Sequence, residues 1–102
     1  MHYEIETEPI AGQKFSFIAH DVAKQAHFEF YINAKLVKES GCDDPPCHEF
    51  LDIHYTSAGS ILRVRGVDDS GEYSMEWEIG DTPMSIGGRR PRFIQGPALV
   101  TT

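Results

Sequence analysis

Apolar and polar residues alternate along this chain in short runs, and a period of two is the signature of half-buried β-strands. The clearest instance pairs Ile61-Leu62-Arg63-Val64-Arg65-Gly66-Val67 with Tyr73-Ser74-Met75-Glu76-Trp77-Glu78-Ile79 around a turn at Asp69-Ser70-Gly71-Glu72. That register sets Arg65 opposite Glu76 and Arg63 opposite Glu78 on one face. On the other it sets Val64 opposite Trp77 and Leu62 opposite Ile79. A one-residue slip would destroy the ion-pair ladder and the apolar face together.

The same alternation marks Tyr3–Thr7 and Lys14–Ile18, joined by the turn-forming loop Glu8-Pro9-Ile10-Ala11-Gly12. Closing it opposes Ile5 to Phe15, Tyr3 to Phe17 and Glu6 to Lys14. Phe28–Ile32 and Lys35–Lys38 flank Asn33-Ala34, where Asn tolerates the left-handed backbone of a two-residue turn. This second hairpin opposes Phe30 to Val37 and Glu29 to Lys38. Between the hairpins, His20–His27 carries helix formers behind Asp21, an apt N-cap, and predicts a helix of two turns.

Residues 40–48 read as a loop. Leu51, Ile53 and Tyr55 then alternate with polar neighbours as a strand would, although Asp44 before Pro45 and Gly59 after Ala58 also fit helix ends. The strand is the preferred reading, on its alternation and β-branched residues. Asp81–Gly88 is loop-like, Arg92-Phe93-Ile94 fits one short edge strand, and Pro97–Thr102 is either mobile or laid across the body.

These elements predict a mainly β fold of six or seven strands, a single-domain antiparallel sandwich or small barrel of consecutive hairpins with at most one or two short helices. The expected core is Ile5, Phe15, Phe17, Phe30, Val37, Leu51, Ile53, Leu62, Val64, Met75, Trp77 and Ile79.

Composition changes this picture little. The 102 residues are 40% apolar and 25% charged, as in ordinary globular domains. The length suits one modest core. No run reaches the ~18 apolar residues of a membrane span, and Met1–Glu6 has no basic or apolar leader pattern, so the expected location is cytoplasmic.

Charge is more informative. The net charge is −7, yet residues 1–88 hold six Lys/Arg against sixteen Asp/Glu, or −10, and Arg89, Arg90 and Arg92 supply the other +3. An acidic body repels nucleic-acid phosphates and steers basic proteins toward it.

The densest candidate for chemistry is Cys42-Asp43-Asp44-Pro45-Pro46-Cys47-His48. It can be read as a zinc site in which Cys42, Cys47 and His48 are joined by His54, as a disulfide, or as two free thiols in a turn. Asp52 and His54, two apart on one strand face, could orient an imidazole for acid–base work, but no nucleophile accompanies them. His20-Asp21 is poorer, because strand neighbours point opposite ways. Glu76 and Glu78 are a carboxylate pair that facing arginines would keep ionised.

Gly87-Gly88-Arg89-Arg90-Pro91-Arg92-Phe93 is the sole basic segment. Arg89, Arg90, Arg92 and Phe93 are candidate binding residues, for an acidic surface before nucleic acid. No phosphate-binding loop, dinucleotide, nucleophile-elbow or zincin motif occurs. Asp69-Ser70-Gly71-Glu72-Tyr73 has the composition of an immunoglobulin E–F corner. Met75 stands where the cysteine would be and no Cys–Trp pair lies upstream, so no family is assigned.

The sequence thus points to a non-enzymatic binding module, of inhibitor, immunity or adaptor type, that meets a basic protein or self-associates through an aromatic sheet face. It implies no obligatory cofactor. The alternative is a metal- or redox-responsive protein working through the Cys42/Cys47/His48 loop.

Overall fold

A computed structural model describes residues 1–81, 88–97 and 99–100. Among these, nine strands follow in order: β1 (His2–Thr7), β2 (Lys14–His20), β3 (Ala26–Ile32), β4 (Lys35–Cys42), β5 (Cys47–Asp52), β6 (Ile61–Asp68), β7 (Gly71–Glu78), β8 (Arg92–Gln95) and β9 (Leu99–Val100). One sheet has the order β5-β2-β1-β9 and the other β4-β3-β6-β7-β8. All pairings are antiparallel except β1 with β9. The mainly β sandwich of hairpins expected from the pattern is therefore the fold. Its connections make a Greek key. Strands β1, β2, β5 and β9 oppose β3, β4, β6, β7 and β8.

The two inner faces meet in an aromatic core. Phe17 is fully buried at its centre, with ring centroids 5.1 Å from Tyr3, 5.6 Å from Phe15, 5.8 Å from Phe28 and 6.0 Å from Phe30. Burying each such ring contributes about 2–3 kcal/mol before the entropy of ordering is counted. Tyr3 reaches across from β1, and its hydroxyl donates to the Tyr73 carbonyl on β7. Gly66 makes that reach possible, because a Cβ there would collide with the Tyr3 hydroxyl and crowd the Phe28 ring.

Ten of the twelve expected core residues are buried. Ile5 is only half-buried, and Val37 is 45% exposed. Val37 fails because a bulge between Phe30 and Tyr31 shifts the β3–β4 register, so that Phe30 opposes Lys38 and Glu29 opposes Glu39.

The helix expected at His20–His27 does not form. β2 runs to His20, and the chain crosses to β3 through Asp21 and Lys24, both at positive φ (56° and 70°). An isolated two-turn helix has too few hydrogen bonds to offset its nucleation cost. Here the Asp68 carboxylate accepts from the Ala23 N–H at 2.9 Å instead. The strand preferred over residues 51–56 starts earlier and ends at Asp52, followed by a single 3₁₀ turn at Tyr55–Ser57. Likewise the loop expected over 40–48 shrinks to four residues between β4 and β5. Of the loop-like readings near the end of the sequence, residues 82–87, 98 and 101–102 lie outside the described residues. Among the described residues no helix is long and apolar enough to cross a membrane.

Candidate functional site

Three connections converge at one end of the sandwich: residues 21–25 between β2 and β3, 43–46 between β4 and β5, and 69–70 between β6 and β7. Each places aspartate in solvent. Asp21 and Asp69 have side chains 77% and 53% exposed, and Asp43 and Asp44 are exposed as well. Lys24 is the one side-chain cation on these connections, 3.8 Å from Asp69. An open groove of about 320 Å³ runs between them, lined by Gln25, His27, Asp43, Val67, Asp68 and Asp69.

The end is held in shape from beneath. Asp68 is buried, with one oxygen taking the Ala23 N–H and the other taking the Ser70 N–H at 2.8 Å, the Ser70 hydroxyl at 2.7 Å and the Gly71 N–H at 3.2 Å. Burial acts to raise its pKa, but the hydrogen bonds from Ala23 and Ser70 outweigh it and hold the carboxyl below its ordinary value. A disulfide joins Cys42 to Cys47, with Cα atoms 5.9 Å apart, and closes the 43–46 loop. That bridge also links an edge of one sheet to an edge of the other.

Alongside, the outer face of the five-stranded sheet carries a polar network. Arg65 donates to Glu29 at 3.0 Å and to Glu72 at 2.9 Å, and Arg63 lies 3.6 Å from Glu72. Tyr31 donates to the same Glu29 oxygen as Arg65, at 2.9 Å. These bonds hold Glu29 below the usual carboxylate range, the Tyr31 hydroxyl first and Arg65 second; Glu72 is lowered chiefly by Arg65. The ladder expected from the sequence is thus built from other partners, because β6 and β7 turn at Asp69-Ser70 and Arg65 opposes Ser74.

The structure separates the proposed zinc ligands. Cys42 and Cys47 are bonded to each other, so neither offers a thiolate. His48 follows Cys47 in β5 and therefore points out of the sandwich while Cys47 points in. His54 lies beyond the far end of β5, where it N-caps the 3₁₀ turn and bonds the Thr56 hydroxyl at 2.7 Å. Since β5 ends at Asp52, the Asp52/His54 pair does not share a strand face either.

The basic segment is also divided. Phe93 is partly buried and packs edge-on to Trp77, with ring centroids 5.2 Å apart. Arg92 lies 3.5 Å from Glu78. Arg89 borders a pocket that also involves Glu78 and Asp81, at the end opposite the aspartate loops. Arg90 is exposed beside it.

Sequence reasoning missed the convergence of the aspartate loops. Asp43, Asp44 and Asp69 were legible in a loop and a turn and Asp21 only as the cap of a helix that does not form, and it is the strand order that brings all four to one end. No protein-family model, curated protein or solved structure matches the chain.

Proposed function

We propose that this protein is a non-enzymatic binding module that engages a basic protein partner through its aspartate-rich loop end, as an inhibitor, immunity factor or adaptor would. The observation that carries this reading is the convergence of Asp21, Asp43, Asp44 and Asp69 on three loops with Lys24 as their sole side-chain cation. Like-charged groups displayed together speed encounter with an oppositely charged surface and select against acidic ones. Loops tied down by Asp68 and the Cys42–Cys47 bridge lose less freedom on binding, which favours affinity. By fold-level analogy alone, this is the end at which immunoglobulin variable domains carry their binding loops. The bridge also favours an oxidising compartment over the cytoplasm expected from the sequence.

Capture at low salt from the source cell, with identification by mass spectrometry, tests the reading through two charge-reversal variants. One is Asp43→Lys/Asp44→Lys/Asp69→Lys at the loop end, and the other is Glu6→Lys/Glu8→Lys at the opposite end. The expected result is a basic protein retained by the wild type and the second variant, released by salt and lost by the first. Equal retention by both variants, or no basic protein retained by the wild type, overturns it.

A further inference from the structure

The register of β3 and β4 places Glu29 directly opposite Glu39, with His27 two residues along on the same face as Glu29. Like charges directly opposed across strands are destabilising unless something positive lies between them. Arg65 does not fill that role, because it and Tyr31 both engage Oε1 of Glu29 from the β6 side and along β3. The second oxygen, Oε2, is left facing His27 Nε2 at 3.6 Å, and the same nitrogen is 3.9 Å from Glu39 Oε1. One donor atom from each of the three residues lies within 4.8 Å of the others.

We infer that His27, Glu29 and Glu39 form a binding site for a divalent transition-metal cation, best suited to Zn²⁺. Zinc holds nitrogen and carboxylate oxygen at ~2.0–2.2 Å in a tetrahedron, which requires ligand atoms about 3.4 Å apart. The observed 3.6 and 3.9 Å from the imidazole to the two carboxylates exceed this by about 0.2 and 0.5 Å, and all three ligand atoms lie within 4.8 Å of one another, so the half-exposed His27 and Glu39 side chains would have to rotate inward to close the site. One imidazole and two carboxylates suit zinc better than calcium, which takes oxygen ligands almost alone. Three protein ligands leave the fourth position for water or for a donor from a partner.

The supporting shell is present. Tyr31 and Arg65 fix the Glu29 carboxylate through one oxygen, as outer hydrogen bonds do in metal sites. Glu29 is the least exposed ligand, with 17% of its side chain accessible, against 50% for His27 and 55% for Glu39. The ion would enter from solvent on the β4 side, away from the Arg65 guanidinium. His27 also lines the groove between the aspartate loops, so a bound cation would stand at the margin of the proposed partner surface.

The test uses untagged full-length protein, titrated calorimetrically with ZnCl₂ at pH 7.5 in a buffer that does not bind zinc. Co²⁺ is added in parallel for its visible absorption, which is intense only in tetrahedral sites. The expected result is one saturable ion per chain, with affinity lowered at least about tenfold by His27→Ala and by Glu39→Gln. His20→Ala, altering the histidine that meets Glu4 on the opposite sheet, leaves the affinity unchanged. Circular dichroism confirms that the variants fold, as half-exposed side chains permit. Absence of saturable uptake, or uptake indifferent to His27→Ala and Glu39→Gln, overturns the site.

Discussion

Asp68 shows how one side chain can organise a loop end. Its hydrogen bonds take up backbone N–H groups at Ala23, Ser70 and Gly71, tying the β2–β3 connection to the β6–β7 turn. Hydrogen bonds to a charged acceptor are worth about 1.5–3 kcal/mol, so Asp68→Asn should cost about 2 kcal/mol at pH 7 in denaturant unfolding. The pH dependence has a definite sign. The folded-state pKa lies below the unfolded value of about 3.9. Its stabilising contribution is therefore complete above that value and is lost as pH falls through the folded pKa. The gap between wild type and Asp68→Asn should hold from pH 7 to about pH 5 and narrow below about pH 4. A gap constant down to pH 2 would refute this role. Nothing at the residue level announced it: Asp68 falls between the strand read as ending at Val67 and the turn read as starting at Asp69, and its partner Ala23 lies far away in sequence.

At the scale of elements, alternation was enough to find the strands but not to set all their registers. In β6–β7 the expected pairing of Arg65 with Glu76 is displaced by two residues, since Arg63 is the true partner. The same displacement occurs in β1–β2, where Ile5 meets Phe17 rather than Phe15. A slip of two preserves which residues face inward, so period-2 patterning is blind to it. Turn chemistry decides instead, and for β6–β7 it is the Asp68 carboxylate that places the turn at Asp69-Ser70. At Asn33-Ala34 the turn was legible, and Ile32 does oppose Lys35, but no pattern foretold the bulge that follows.

That turn makes its own prediction. Asn33 and Ala34 both sit at positive φ, 50° and 69°, and a left-handed alanine costs about 1–2 kcal/mol. Ala34→Gly should therefore raise stability by about 1 kcal/mol, visible as a higher midpoint in thermal unfolding. A lower midpoint would mean that the methyl makes contacts worth more than the backbone relief. Nearby, the outer sheet edges are guarded rather than open. Lys38 donates to the Phe50 carbonyl at 2.6 Å and lies 3.5 Å from the Phe50 ring centroid, bridging β4 to β5 on the side the disulfide also closes. A cation at an edge discourages pairing with another strand, which favours recognition through the loops over strand addition at this edge.

For the whole molecule, the net charge of −7 was evident from composition, whereas its arrangement was not. Much of the acid on the five-stranded face is matched locally, by Arg65 to Glu29 and Glu72 and by Arg92 to Glu78. The loop end has four exposed aspartates against one lysine on the same loops, with Asp21 also meeting the His2 ring at 2.9 Å, and the strand order collects them there. The basic segment that looked like a binding patch turns partly inward, because Phe93 gains more from packing on Trp77 than from solvent. The proposed function rests on which loops share an end, a property set by topology.

The most direct test of the proposed loop-end surface is a ¹H–¹⁵N NMR titration of the protein with a short oligolysine peptide at low salt. Amide shifts should concentrate in residues 21–25, 43–44, 47 and 69–71, saturating together and abolished by Asp43→Lys/Asp44→Lys/Asp69→Lys. Shifts scattered over both sheet faces, or centred on Glu6 and Glu8 at the opposite end, would contradict it.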